Sequence, residues 1–571
     1  MEGSLVVLLA LVCTIRVSAD VATQPALVDT LQGSVSGIFE KSTEGRTFES
    51  YYGIPYAKPP VGDLRFMAPI PSDTWGGILD GSKLKAACPQ MSLEVIMGQM
   101  PTVGQVQGDE DCLHLNIFTH KTGKDMANLP VMVWIHGGAY QFGSVGWSPP
   151  YVMMNKDIVL VTLQYRLGSL GFLSTEDSLV PGNMGLKDQT LALSWVRQNI
   201  HNFGGDPAQV TIFGESAGSA SVHMQILTPH SNGLFQRAIM QSGNALCPWA
   251  MGDDHLSHAK RLATDLGCPN VEDLQFMIEF LQAIPLNDLI IRTAEHMVHL
   301  AFIPNVFGPR VDGDYLPEAP EILLRKGHFK GVDLIAGINS HEGAIFAGEY
   351  FGKPDGLSTI NDNFAIQAPL SLELREQEDK PVGIARTAFD FYLGFNEKVE
   401  QDSADKVVQK YGTVFFLLIR DYLVEGPVRA CAHALITHRQ VFTEIGSVGS
   451  SRQQQWVEAD IGSYEWVSHS DDLFYFFEGG DDPMFQMFEQ IPMTDADLKI
   501  RDQLTTMWYT FAKTGNPTPD KNLGFVWSPT NHNLEYLSVG SPVAMRQDQS
   551  REKIHNFWTT LPSRQNNLLN P

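Results

Sequence analysis

Short β-branched apolar runs alternate with stretches of helical periodicity through the first half of the chain, and this alternation constrains the fold most. Val131–Ile135 and Ile158–Leu163 are short and apolar throughout, the pattern of strands buried on both faces. Lys187 to Asn202 places Leu191, Leu193, Trp195, Val196 and Ile200 at roughly helical spacing and stops at Gly204-Gly205. Val210–Phe213 then reads as a strand, Gly214 as a break and Ala217–Leu227 as a helix. Ala238–Met240 and Leu334–Ala336 are further strands. Strands that alternate with helices build βαβ units, so the expected class is α/β, a large mostly parallel sheet flanked by helices. Between Phe346 and about Val407 the pattern weakens, and the charged run Glu373–Lys380 reads as a solvated loop. With no Pro/Gly/Ser-rich linker and no internal repeat, residues 20–571 are expected to form a single domain with helical insertions.

Residues 1–19 are set apart as a signal peptide. Leu5–Val12 is purely apolar but too short to span a bilayer, and Val17-Ser18-Ala19 supplies the small residues of a cleavage site. Glu2, where a basic residue is usual, departs from that pattern. No later stretch reaches the length of an apolar span, so a secreted product without a membrane anchor is expected. The balance of 65 acidic to 40 basic residues gives −25, which disfavours nucleic acid and anionic membrane surfaces as partners. Oligomeric state is not legible in this composition.

Of six cysteines, Cys13 lies in the leader. Cys88 and Cys112 are 24 residues apart, Cys247 and Cys268 21 apart. In an oxidising compartment these read as two local disulfide loops, each contributing about 3 kcal/mol, although four cysteines permit three pairings. Cys431, inside an apolar helical pattern, reads as a buried free thiol. No C-x₂-C spacing suggests zinc.

Two motifs carry chemistry. Gly214-Glu215-Ser216-Ala217-Gly218 matches G-x-S-x-G with a strand before it and a helix after it, the context that lifts a serine hydroxyl clear of a sheet. An N-capping serine in an ordinary strand–helix turn is the plainer reading. His136-Gly137-Gly138-Ala139-Tyr140 follows another strand, and glycines there let backbone N–H groups approach a developing oxyanion.

Longer stretches give a specific resemblance. The segment from Gly53 to Phe66, the stretch from Glu110 to Asn116, and Gln241-Ser242-Gly243 together resemble the type-B carboxylesterases, the family that includes cholinesterases and arthropod juvenile hormone esterases. The similarity runs from about Gly33 to Trp558. It implies an α/β-hydrolase fold and a serine esterase acting on a small-molecule ester without metal or cofactor. It also implies Ser216 as nucleophile, Glu342 as the acid in Asn339-Ser-His-Glu-Gly343, and His469 as the base in Val467-Ser-His-Ser-Asp-Asp-Leu473, ahead of a strand expected at Leu473–Phe477. Trp466 stands where that pattern usually has glycine. The N–H groups of Gly137, Gly138 and Ala217 would form the oxyanion hole, with Glu215 and Ser242 supporting the triad. A juvenile-hormone or methyl farnesoate-type esterase, a poor-turnover ester scavenger and a non-catalytic adhesion relative are the alternatives. A histidine base would titrate near its ordinary value of about 6.5.

Overall fold

The structure, a computed structural model, describes residues 27–562 apart from 93–105, 121–127, 297–304, 345–349, 352–354, 375–379, 396, 417–429, 437–466, 480–492, 530–534, 541 and 548–549. Residues 1–19, expected to be a signal peptide, and Trp466 therefore lie outside the described residues.

The main sheet is built from β1 (Ile38–Lys41), β2 (Thr47–Pro55), β3 (His114–Thr119), β4 (Leu129–Ile135), β5 (Val159–Leu163), β6 (Gly205–Glu215), β7 (Arg237–Gln241), β8 (Asp333–Asn339), β9 (Ala430–Ile436), β10 (Glu535–Val539) and β11 (Ala544–Gln547). These eleven strands run in the order β11-β10-β9-β8-β7-β6-β4-β5-β3-β2-β1. Pairing is parallel from β5 through β10 and antiparallel at both margins. Alternate side chains on the central strands enter opposite cores, as a pleated strand requires. On β4, Val131, Val133 and Ile135 join one apolar cluster while Met132 and Trp134 join the other. Burial on both faces explains why the parallel strands read as unbroken apolar runs.

Helices α1 (Met184–Asn199) and α2 (Ala217–Leu227) follow β5 and β6. Farther on come α3 (His255–Asp265), α4 (Leu274–Ala283), α5 (Pro381–Leu393), α6 (Ala404–Phe416), α7 (Asp495–Thr514) and α8 (Ser550–Thr560). In α7, Ile500, Leu504, Met507, Trp508 and Phe511 recur on one face and seal the second core. Thr494 and Asp497 form a reciprocal capping box at its start, and Gly515 (φ 79°) ends it. The weakly patterned region after Phe346 holds α5 and α6 together with short helices at Gly356–Asp362 and Phe364–Leu370.

Three local expectations are corrected. Cys431 lies on strand β9, not in a helix; a short apolar run cannot be assigned to strand or helix by periodicity alone. The run Leu473–Phe477 is no strand. Asp471–Tyr475 forms a 3₁₀ turn because the Asp471 carboxylate accepts the Ser468 N–H at 2.7 Å and winds the chain tightly. Cys88 and Cys112 are bonded, but Cys247 and Cys268 are free thiols. Spacing in sequence does not say whether two Cα atoms come within the roughly 7 Å that a disulfide needs. Cys268 Sγ instead faces the Asn270 carbonyl at 3.6 Å.

Two measurements follow from this packing. Mass mapping of the protein is expected to find Cys88 linked to Cys112 and both Cys247 and Cys268 alkylated after denaturation without reductant; a Cys247–Cys268 peptide would overturn their assignment as free thiols. Lys410 on α6 is fully buried, and among the described residues its Nζ has no hydrogen-bond partner. That amine sits 3.0 Å from the Phe389 ring centroid and 3.9 Å from that of Tyr411, and burial pushes it well below its ordinary pKa. Lys410→Met should therefore raise unfolding stability by ~1–3 kcal/mol in a denaturant titration. A loss would show that the ring contacts outweigh desolvation.

Candidate active site

The parallel strands deliver their C-terminal ends to one edge of the sheet, the edge where open α/β sheets place their sites. Register pairs Gly214 on β6 with Ile135 on β4, Glu215 with Gln241 on β7, and Gln241 with Gly337 on β8. The loops leaving β4, β6, β7 and β8 therefore start side by side.

Ser216 is the single residue between β6 and α2, with φ 58° and ψ −124°. A non-glycine residue in such a conformation stores roughly 1–3 kcal/mol of strain. The chain tolerates it because Ser216 N–H donates to Gln241 O at 2.9 Å and the next turn begins at once, Ala220 N–H donating to Ser216 O at 2.9 Å. Gly218 permits the close approach. A Cβ there would collide with the carbonyl of Ile135, so α2 could not rest on the end of β4.

Glu342 and His469 meet although 127 residues separate them. Glu342 Oε1 accepts the Asn339 N–H at 2.6 Å, and Glu342 Oε2 lies 2.7 Å from His469 Nδ1. The Asn339 side chain donates to Ser468 O at 2.7 Å and to Asp472 at 3.1 Å. Asp472 also accepts from Gln241 Nε2 at 2.7 Å, and Gln241 Oε1 accepts from Trp508 on α7 at 3.3 Å. His341 fastens the same two segments together: its N–H donates to Val467 O, and its Nδ1 accepts the Val467 N–H at 3.1 Å.

Glu215 lies on the other side of the imidazole. Its Oε1 is 3.1 Å from His469 Nε2 and accepts the Ser470 hydroxyl at 2.5 Å. His469 is buried, which alone would lower its pKa, but Glu215 and Glu342 outweigh that burial and raise it to about 9. The expectation of about 6.5 is thus corrected upward. Glu215 itself is raised to about 7, chiefly by burial, with His469 opposing. Burial likewise raises Asp472.

The loop after β4 turns on Ala139 (φ 52°) and Tyr140 (φ 63°). Gly137 lies against the serine, since a Cβ on it would be 3.1 Å from Ser216 Cβ. Gly137 O is engaged by His136 Nδ1 at 2.8 Å, and Gly138 O accepts the N–H groups of Gln141 and Phe142 at 2.9 and 3.0 Å. A trans peptide points its C=O and N–H oppositely, so the N–H groups of Gly138 and Ala139 face away from these contacts. Ala217 opens α2, where helix geometry leaves its N–H without a partner inside the helix. Ser242 is buried just after β7 with φ 56°, its N–H on Gly337 O at 2.8 Å.

The structure therefore brings Ser216, Glu215, Ala217, Gly137 and Gly138 to one elbow and joins Glu342 to His469 beside it. Ala139, Asp472, Gln241 and Ser470 escaped sequence reasoning as site residues. Asp472 stood inside the histidine motif, but no spacing rule distinguishes it from Asp471. Among the described residues no group of three or more His, Cys, Asp and Glu side chains has the arrangement of a metal site.

A serine elbow between a parallel strand and a helix, with a histidine–carboxylate pair at the same sheet edge, is the α/β-hydrolase arrangement. The chain belongs to the carboxylesterase family, whose model matches residues 24–558. It is 34% identical over 556 residues to a carboxylic ester hydrolase of Bombus ignitus, covering 95% of this chain and 96% of that protein. It is 32% identical to venom carboxylesterase-6 of Apis mellifera, over 95% of each chain. Against the juvenile hormone esterase of Tribolium castaneum it is 34% identical, over 88% of this chain and 86% of the other. The protein is a carboxylic ester hydrolase.

The carboxylates around His469 predict its pH dependence. A neutral imidazole is needed to accept a proton, so kcat/KM should rise with pH through the raised histidine pKa. Glu215→Gln removes one negative neighbour and should move this acid limb to lower pH. A limb that stays in place would show that Glu215 does not act on His469.

Proposed function

We propose that this esterase works through an acyl-enzyme on Ser216. Ser216 Oγ adds to the ester carbonyl while its proton passes to His469 Nε2, and Glu342 holds the Nδ1–H tautomer and stabilises the imidazolium. The carbonyl oxygen becomes an oxyanion that the N–H groups of Gly138, Ala139 and Ala217 can stabilise, with Gly137 supplying room for its approach. Collapse of this intermediate breaks the C–O bond, and His469 gives its proton to the departing alcohol. Water then attacks the acyl-serine, loses its proton to His469, and releases the carboxylic acid and free Ser216. The observation that carries this reading is the 2.7 Å contact of His469 Nδ1 with Glu342, set beside the strained serine elbow.

The enzyme is proposed to be exported, a reading supported by the apolar leader and by the Cys88–Cys112 bond, which belongs in an oxidising compartment. Its substrates are proposed to be esters with apolar acyl groups rather than choline esters. A quaternary ammonium is held by aromatic faces, and Pro89 to Asp111 contains no Trp, Tyr or Phe. The juvenile hormone esterase relative makes a sesquiterpenoid methyl ester the natural specialised probe.

Ser216→Ala should lower kcat on p-nitrophenyl butyrate by on the order of 10⁴ or more in a protein that still folds. A variant keeping a tenth of the activity would place the nucleophile elsewhere. In the same assay series kcat/KM should be lower for a choline ester than for the butyrate or a farnesoid methyl ester; a choline ester coming out best would overturn the substrate reading.

A further inference from the structure

Gln90 has no part in the chemistry described so far, yet its side chain is fully committed. It is buried at 1% exposure on the short strand Gln90–Met91, which pairs with Val106–Gln107 beside the Cys88–Cys112 bond. Its carboxamide clasps one residue from both sides: Oε1 accepts the Gly143 N–H at 2.9 Å, and Nε2 donates to the Gly143 carbonyl at 2.9 Å. Nε2 also donates to Cys88 O at 3.0 Å, which fixes the carboxamide plane.

Gly143 is a pivotal point on the oxyanion loop. With φ 124° it occupies a conformation that a side chain would strain, and a Cβ on it would collide with both Gly137 O and His136 Nδ1. The backbone of Gly143 is therefore packed directly against the Gly137–Gly138 peptide. Because a peptide is a rigid plane, the position of the Gly137 carbonyl sets the direction of the Gly138 N–H on its other side. Gln90 holds Gly143, Gly143 backs Gly137 O, and Gly137 O orients the amide that would meet the oxyanion.

We infer that Gln90 is a positioning residue of the oxyanion hole, fixing the Gly138 amide through Gly143 from the disulfide-closed segment. This inference rests on the acyl-enzyme reading of the site. A buried amide that merely satisfied the backbone would contribute to stability alone. A positioning residue must also affect the transition state selectively, because donors aimed at an oxyanion act when charge develops and little before.

The test is Gln90→Met, which keeps the length and removes all three hydrogen bonds. On p-nitrophenyl butyrate kcat is expected to fall by about 10- to 100-fold, less than deleting a donor outright, with KM changed by less than about twofold. A trifluoromethyl ketone, which adds Ser216 to give a tetrahedral oxyanion, should lose affinity by a similar factor. The corresponding unfluorinated ketone should bind as before. Gln90→Glu keeps the acceptor for the Gly143 N–H but loses the donor to its carbonyl, and should fall between wild type and the Met variant; it carries the test if Gln90→Met does not fold. Unchanged kcat and fluoroketone affinity in a folded variant would overturn the inference, as would equal weakening of both ketones, which marks general collapse of the pocket. Ser216→Ala is run alongside. If that variant retains turnover, the acyl-enzyme reading fails; if it is inactive while Gln90 variants keep full kcat, only the role of Gln90 fails.

Discussion

The contact between Gly218 and the end of β4 is the constraint on which the site depends. Gly218 lies so close to the Ile135 carbonyl that no side chain fits between them. That approach lets α2 begin immediately after β6, and Ser216 alone makes the reversal at φ 58°. The strain is offset by packing, since every residue of α2 is buried. The same approach leaves the His136 loop beside the serine, and parallel register then places Gln241 and Asn339 at the same sheet edge.

Electrostatics add a second constraint. Glu215, Glu342 and Asp472 are all nearly inaccessible to water and crowd around one imidazole. Three like charges in a buried space would be costly, and the site limits that cost by hydrogen bonding each one. Glu342 takes the Asn339 N–H, Glu215 the Ser470 hydroxyl, and Asp472 the side-chain amides of Gln241 and Asn339. The remaining imbalance appears as raised pKa values, with Glu215 near 7 and His469 near 9. A proton shared between these two groups lowers the net charge of the cluster while leaving the Nδ1–Glu342 contact intact.

How much of this was legible in the sequence depended on how local each signal was. The strand–Ser216–helix elbow was readable because strand, nucleophile and helix are contiguous, and the helix bounds Ala217–Leu227 agree with the structure. Glu342 and His469 could be found only through family resemblance, since no periodicity links residues 127 positions apart. The disulfides show the limit of spacing as a guide: two loops of similar length were expected, and one formed. Which pair meets the geometry of a disulfide is a tertiary fact that spacing does not carry. The aromatic run after His469 misled in another way, because its apolar residues are buried by a 3₁₀ turn that the neighbouring carboxylates impose. Ala139 was passed over because the HGG reading attends to side-chain size, whereas peptide direction is set by what each carbonyl meets.

The nature of these features also bears on the choice between an enzyme and a mere binding relative. A fold that served only as an adhesive or scavenging surface would gain from relaxing the serine elbow and replacing the buried carboxylates with apolar residues. Strained backbone and desolvated charge each lower stability without improving a surface. Here the two costs meet at one sheet edge. The strain falls on Ser216, and the desolvated groups lie on either side of His469. Such coincidence is intelligible when the strained hydroxyl must be presented to a base whose proton affinity the carboxylates set. Strain and desolvated charge brought together at one nucleophile and its base are the physical signature expected of chemistry rather than of contact.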